Sequence, residues 1–209
     1  MVVQLTGELF DILEVNAART GNHKRAAVRM SRLAVQAQPG GLSRAEAHMR
    51  AGEQWLLADD PEAAVQEFRL AMADPGPTSD DPRVPLARAM FLLGRHADAA
   101  ALLGELTDSG AKARPRTCDL VAEVLIEQGD LAGALDWATA GVEDCLRGEE
   151  PEDPDELRLL LRLRYRIRVD LGLPEDDYDK MLDSTKVQGS GPAREVELPA
   201  RGTGLPSKG

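Results

Sequence analysis

Apolar residues recur every three or four positions through most of the chain, which is the spacing of an amphipathic helix. In the segment after Asp60, for example, Ala64, Phe68 and Ala71 fall on one helical face. Short polar or glycine-containing steps interrupt this spacing, and each step predicts the end of one helix and the start of another. The pattern therefore predicts an all-α protein built from antiparallel helix pairs.

The helical pattern repeats with a period of 35 residues. The predicted turns Asp59-Asp60, Gly94-Arg95 and Gly129-Asp130 keep this spacing twice. Three further columns keep it as well, namely Gly52/Ala87/Ala122, Trp55/Met90/Leu125 and Ala64/Ala99/Ala134. The small residues in the first and third of these columns would let two antiparallel helices approach closely.

The stretch 45–77 resembles a tetratricopeptide repeat, through Gly52, Trp55, Ala64, Phe68, Ala71 and Pro75. The resemblance implies three repeats over 45–79, 80–114 and 115–149, each a helix–turn–helix of about 34 residues, stacked into a right-handed superhelix. In the third copy, Ala138 and Gly141 replace Phe68 and Ala71. We therefore expect the third copy to pack more loosely, unless a neighbouring segment fills the space.

The flanking segments complete the predicted solenoid. Residues 1–44 form a degenerate N-terminal helix pair with its turn at Gly21-Asn22, Thr6 is a candidate cap, and Ser43 with Glu46 fits a capping box. Residues 151–183 are expected to form a capping helix and a short helix. The glycine- and proline-rich residues 184–209 predict a disordered tail.

Within the capping segment, residues 161–169 alternate between apolar and polar side chains, which taken alone favours a strand. We predict a helix instead, because Asp153-Pro154 is a strong helix start and no other strand is available to pair with this one. Its arginines are Arg158, Arg162, Arg164, Arg166 and Arg168. We interpret them as neutralising the acidic repeats; the alternatives are an acidic partner or nucleic acid.

Residues 45–183 are also similar to tetratricopeptide repeat proteins of high-GC bacteria, some of which end in a cysteine-rich SEC-C zinc tail. No cysteine follows Cys145 here, so the tail and its zinc site are not expected. The chain has only two cysteines, which do not make a disulfide framework, and its first residues do not resemble a secretory signal. These features predict a reduced, cytoplasmic protein.

The net charge of −11 argues against binding nucleic acid or an anionic membrane. The sequence contains no cofactor, metal or catalytic motif, and we predict a protein that is not an enzyme. His23, His48 and His96 lack metal-ligand spacing and are interpreted as surface or half-buried side chains. Cys118 and Cys145 are interpreted as buried apolar residues.

In tetratricopeptide repeats the first helix of each copy lines a concave groove, so the resemblance implies a binding surface. Its expected residues are Met49, Glu53, Leu56, Val84, Arg88, Phe91, Asp119, Glu123 and Ile126. Leu56, Phe91 and Ile126 would form an apolar ladder, and the surrounding acids suit a peptide with apolar and basic residues. The predicted function is therefore a non-catalytic protein- or peptide-binding scaffold.

An alternative function is self-association, with the groove filled by the chain's own terminal segment or by a second copy. Some family members instead grip a partner's C-terminal carboxylate. The matching positions here are Met49, Glu53, Pro85, Arg116 and Leu120. Only Arg116 suits that chemistry, so we do not expect a carboxylate clamp.

Overall fold

The computed structural model describes residues 6–36, 41–108, 114–148 and 153–188, and within these ranges every regular element is a helix. The first compact unit ends at Pro174 and the second begins at Glu175. The helices described in the first unit are α1 (Gly7–Thr20), α2 (His23–Val35), α3 (Arg44–Leu57), α4 (Pro61–Ala73), α5 (Arg83–Leu92), α6 (His96–Asp108), α7 (Pro115–Glu127), α8 (Leu131–Cys145) and α9 (Pro154–Asp170). The prediction of an all-α protein is confirmed.

The helices of the first unit pack mainly on their neighbours in the chain. Helix α3 packs between α2 and α4, and α8 packs between α7 and α9. Helices α5 and α7 also contact each other, as do α7 and α9. This packing of helix pairs is consistent with an α solenoid.

The turns within the α3–α4, α5–α6 and α7–α8 pairs have the same backbone conformation. Each contains a residue with a left-handed backbone: Asp59 (φ 57°), Gly94 (φ 72°) and Gly129 (φ 77°). The N–H of the next residue donates to the carbonyl five positions back: Asp60 to Trp55 (3.0 Å), Arg95 to Met90 (2.9 Å) and Asp130 to Leu125 (2.9 Å). This is the hydrogen bond that closes a helix in a Schellman motif, and it recurs at the predicted interval of 35 residues.

The predicted helix cap at Thr6 forms as expected, whereas the predicted capping box of Ser43 and Glu46 forms only in part. The Thr6 hydroxyl accepts from the Leu9 N–H (3.3 Å), and the Ser43 hydroxyl accepts from the Glu46 N–H (2.8 Å). The Glu46 carboxylate does not return to Ser43, as a full capping box requires. It accepts instead from the N–H of Ser79 (2.8 Å), because the connection between α4 and α5 passes within its reach.

The alternating segment is part of α9, so the helical interpretation of residues 161–169 is confirmed. Asp153 caps the helix by accepting from the N–H groups of Asp155 (2.9 Å) and Glu156 (3.1 Å). Leu160 and Ile167 are fully buried on the helical face that packs on α7 and α8. The helical cap and this buried face outweigh the local alternation of apolar and polar residues.

The second unit contains helix α10 (Asp177–Gln188). Asp176 starts it by accepting from the N–H groups of Tyr178 (3.1 Å) and Asp179 (3.2 Å). The helix extends five residues beyond the predicted end at 183, into the segment that we expected to be a disordered tail. Residues 189–209 of that segment lie outside the described residues.

The helix pairs α3–α4, α5–α6 and α7–α8, which correspond to the three predicted repeats, are called the first, second and third pair. The third pair does not have the loose core that its small residues predicted. A Cβ built on Gly141 would lie 2.9 Å from Cys118 Cβ and 3.0 Å from the Leu160 side chain. Helix α9 therefore fills the space, which is the condition under which tight packing was expected. In the first pair, a Cβ on Gly52 would lie 2.5 Å from the ring of Phe68, which confirms the close helix approach predicted there.

Candidate functional site

A groove of about 310 Å³ is lined by residues of α3, α5 and α7 and by Asp80, which precedes α5. The apolar part of its lining runs from buried to exposed: Met49 and Val84 are each 2% exposed, Val124 is 4% exposed, and Leu57 is 60% exposed. Its remaining lining residues are Glu53, Leu56, Asp80, Pro85, Arg88, Arg116, Leu120, Glu123 and Glu127. These residues together are called the groove below.

Most of the residues predicted to face a groove do line it. These are Met49, Glu53, Leu56, Val84, Arg88 and Glu123. Asp119 is adjacent, since its carboxylate lies 3.3 Å from the guanidinium of the lining residue Arg116. Phe91 lines a different cleft, and Ile126 is half-buried without lining either space. The apolar ladder of Leu56, Phe91 and Ile126 therefore does not form one surface.

Several lining residues were not among the nine predicted ones. Pro85, Arg116 and Leu120 are positions that the family resemblance singled out for a carboxylate clamp, so a signal for them was present. Leu57 and Glu127 are 70 residues apart, which is twice the sequence period and would have identified them as one column.

Both arginines of the groove already bind carboxylates. Arg88 forms a two-point ion pair with Glu127, with Nε and Oε2 2.9 Å apart, and so ties α5 to α7. Arg116 lies 3.3 Å from Asp80 and 3.3 Å from Asp119. Partial burial raises the pKa of Asp119, an effect that Arg116 opposes. These pairs hold the lining in place and leave little positive charge free for an anionic ligand.

Glu53 and Glu123 are the two groove carboxylates without a side-chain partner among the described residues. Both are exposed, and they occupy the same position in the first and third helix pairs. Arg88 occupies that position in the second pair, but it is neutralised by Glu127. The groove therefore combines an apolar lining with two carboxyl groups that no described side chain pairs with.

The surroundings of Glu53 weaken its ionisation. Reduced solvation in the groove is the main cause that raises the pKa of Glu53 to about 7, and the carboxylates of Glu14, Glu46 and Asp80 add to the rise. Arg50 opposes the shift. The Glu53 side chain still contacts solvent, which limits its desolvation.

The connection between α4 and α5, which includes Asp80, is held against the start of α3. Besides the bonds from Ser79 to Glu46, Arg44 Nε lies 2.7 Å from the carboxylate of Asp74. That carboxylate also accepts from the N–H of Gly76 (2.9 Å), and the Ser43 hydroxyl donates to the carbonyl of Pro77. These contacts fix the rim of the groove at one end.

The second cleft encloses about 390 Å³. Phe91 and His96 lie on one side of it, with ring centroids 5.7 Å apart, and Trp137 of α8 also lines it. Within the described residues, α6 and α7 make few contacts, and Phe91 lines this second cleft and not the groove.

Two of the three histidines have a polar partner. His48 is 4% exposed, which corrects the expectation of a surface or half-buried side chain. Its Nδ1 lies 2.7 Å from Oε2 of Glu67, which is 8% exposed, so the pair joins α3 to α4 inside the core. His23 Nδ1 lies 3.0 Å from the side-chain oxygen of Gln54. Among the described residues, no cluster of histidine, cysteine or acidic side chains could hold a metal ion.

The cysteines differ in their surroundings. Cys118 is fully buried in α7, as expected, whereas Cys145 at the end of α8 is only half-buried. Reduced solvation is the main cause that raises the pKa of the Cys145 thiol to about 11, and nearby carboxylates, Glu156 first, add to it. The thiol is therefore protonated at neutral pH and a poor nucleophile.

The arginines of α9 are only partly used inside the chain. Arg158 pairs with Asp155 (2.9 Å), and the buried Arg164 donates to the Thr139 hydroxyl (3.0 Å). Arg162 and Arg166 are exposed and have no side-chain partner among the described residues. The ion pair of Arg158 is with a carboxylate of its own helix, and Arg162 and Arg166 have no carboxylate partner among the described residues, so neutralisation of the acidic repeats does not account for these three arginines.

Comparison of the chain with protein-family models, curated proteins and solved structures found no match. Of the helices that the structure describes, none has the length and apolar character needed to cross a bilayer.

Proposed function

We propose that this protein is a non-catalytic scaffold that binds a protein or peptide segment in the groove. The observation behind the proposal is the combination of an apolar lining that is partly accessible, with Leu57 exposed, and the unpaired carboxylates of Glu53 and Glu123. A segment with apolar anchors and a few lysines or arginines would satisfy both features. Binding such a segment needs no reactive group.

We further propose that the groove belongs to a tetratricopeptide-like solenoid with a right-handed superhelix. The support is the recurrence of one turn conformation every 35 residues and the packing of consecutive helix pairs. In such a fold the first helices of successive pairs share one concave surface, and α3, α5 and α7 are the helices that line the groove. Small residues at Gly52, Ala87 and Ala122, all buried, also agree with the family's pattern.

A direct test uses two labelled synthetic peptides of about 15 residues, long enough to form a helix. One alternates leucine and lysine at helical spacing, and the other replaces each lysine by glutamate. We expect the full chain to bind the basic peptide and not the acidic one. Affinity should fall with added salt, because the attraction is partly electrostatic.

The groove is then tested with the variant Glu53→Gln/Glu123→Gln. Removing both carboxylates should weaken binding of the basic peptide about tenfold, as for the loss of close charge pairs in an interface. The matched control is Glu62→Gln/Glu143→Gln, which removes the same charge from exposed positions of α4 and α8. Equal weakening by both variants would show that net charge, rather than the groove, determines binding, and the proposal would fail.

A further inference from the structure

The outward face of α9 presents apolar and basic side chains together. Leu159, Tyr165 and Val169 are 56%, 41% and 56% exposed, large values for such residues. Arg162 and Arg166 lie between them on the same side of the helix, since positions three and four apart are neighbours on a helical surface. These five residues are called the α9 face below.

The α9 face has the chemistry that the groove lacks. The groove has an apolar lining with unpaired carboxylates at Glu53 and Glu123, whereas the α9 face has exposed apolar residues with unpaired guanidinium groups at Arg162 and Arg166. Residues 45–150 carry 9 basic and 21 acidic side chains, so the middle of the chain, which includes the groove, is strongly acidic. Helix α2 is basic as well, but of its large apolar side chains only Val35 is exposed. The two surfaces match in charge and in apolar character.

A single chain cannot bring these two surfaces together. Helix α9 packs on α7 and α8 through its opposite face, where Leu160, Leu161 and Ile167 are buried. The α9 face therefore points away from the helix α7 that lines the groove, and only another molecule can place it there.

We propose that the α9 face of one copy docks in the groove of a second copy. The inference rests on the proposed function, because it identifies the basic and apolar segment that the groove binds. Each copy carries both surfaces, so the same contact can be made twice across a two-fold axis and close a dimer. The dominant contacts are Arg162 and Arg166 with Glu53 and Glu123, and Leu159 and Val169 with the apolar lining.

The test is a charge exchange between two variants of the full chain, followed by sedimentation velocity. Variant A is Arg162→Glu/Arg166→Glu, and variant B is Glu53→Arg/Glu123→Arg. Wild type should dimerise with rising concentration, while each variant alone should associate at least about tenfold more weakly, because like charges then face each other. A mixture of A and B should dimerise again, since the acidic helix face of A fits the basic groove of B and the original contact is kept in the other direction.

The control variant is Arg25→Glu/Arg29→Glu, which makes the same charge change at exposed positions of α2 and should dimerise like wild type. Circular dichroism checks that each variant is folded. If variant B fails to fold, Glu53→Gln/Glu123→Gln replaces it, and this variant should still weaken dimerisation measurably. A wild type that stays monomeric up to about 100 μM, or a mixture of folded A and B that stays monomeric, would overturn the inference.

The peptide assay separates this inference from the proposed function. A monomeric wild type that still binds the leucine–lysine peptide through Glu53 and Glu123 would overturn only the docking of α9. Loss of both dimerisation and peptide binding would reject the groove as a binding surface.

Discussion

The first and third helix pairs share a turn conformation but fill their cores with different side chains. In the first pair Phe68 lies against Gly52, whereas the equivalent of Phe68 in the third pair is Ala138. The third pair regains volume from Leu160 of the next helix, which lies against Gly141. The core of a helix pair is therefore filled by the pair together with the helix that follows it, and not by one large side chain at a fixed position. Close packing requires that the volume be filled, whichever residue supplies it.

The first and third helix pairs also differ in polarity, at two equivalent positions of their cores. His48 and Glu67 form a hydrogen-bonded contact between α3 and α4. The positions 70 residues later hold Cys118 and Trp137, which are 0% and 8% exposed. One framework thus tolerates a polar contact in one pair and mostly apolar side chains in another. Four substitutions test how far this equivalence extends, beginning with the largest expected effect.

Phe68→Ala should lower the free energy of unfolding by about 3–5 kcal/mol, because it leaves a cavity facing a glycine that cannot fill it. Urea unfolding of the full chain measures the change. Leu70→Ala, at a position of α4 that is 49% exposed, is the control and should change stability far less. A loss below about 1 kcal/mol for Phe68→Ala would mean that the core closes around the cavity.

His48→Ala should cost about 3 kcal/mol, since it leaves the carboxylate of Glu67 buried without its partner. Replacing both residues by leucine should cost less than this single change, because no buried charge then remains. Urea unfolding of the two variants decides the matter. A double variant less stable than His48→Ala would contradict this expectation. It would show that the polar contact stabilises the first pair by more than pairing His48 and Glu67 with each other.

Gly52→Ala should lower the free energy of unfolding by about 1–2 kcal/mol. The new methyl group would overlap the Phe68 ring, and the cost of this overlap exceeds the gain in helix propensity. Adding Phe68→Leu reproduces the combination Ala87 and Leu103 of the second pair. The double variant should be more stable than the sum of the two single changes predicts. Additive losses would contradict the idea that volume is shared across each pair.

Glu53→Gln tests the smallest effect, a dependence on pH. The raised pKa means that between pH 4.5 and about 7 the folded chain keeps a proton that the unfolded chain has lost. The free energy of unfolding should therefore fall as pH rises through this range, and the glutamine variant should lack this fall. The difference should stay below about 1 kcal/mol because the side chain contacts solvent.

Urea unfolding of wild type and Glu53→Gln at pH 4.5, 6 and 8 measures this difference, and Glu62→Gln on α4 is the exposed control. The variant should match wild type at the lowest pH and exceed it at the highest. Equal curves for wild type and variant would show that the surroundings of Glu53 do not weaken its ionisation.

The helices and turns were predictable because they depend on residues near in sequence. Glycine or aspartate at positions 59, 94 and 129, and the caps at Thr6 and Asp153, act within one or two helical turns. The groove was predictable in part, since the period of 35 residues fixes which helices lie side by side. The outward face of α9 was not separated from the rest of its basic cluster, because burial of Arg164 depends on packing against α8.

Phe91 was expected in the groove but lines the second cleft, and which of the two spaces it reaches depends on how the second pair meets the third. Sequence periodicity gives the order of side chains around each helix but not the rotation of one pair against the next. Residues of α5, α6, α7 and α8 line the second cleft, and the ring of Phe91 lies there beside His96. The position of the Phe91 ring beside His96 is a property of the assembled fold, and no feature of the nearby sequence predicts it.

Because the left-handed residues Asp59, Gly94 and Gly129 are equally spaced, the segments between them are equivalent units that could be deleted or duplicated. Deleting residues 60–94 would join Asp59 directly to Arg95, leaving a turn with the same backbone path and α6 in the place of α4. Duplicating those residues would insert one more pair by the same rule. The turns are thus suitable crossover points for recombination, and the length of the groove becomes a variable that a protein engineer can set in steps of one helix pair.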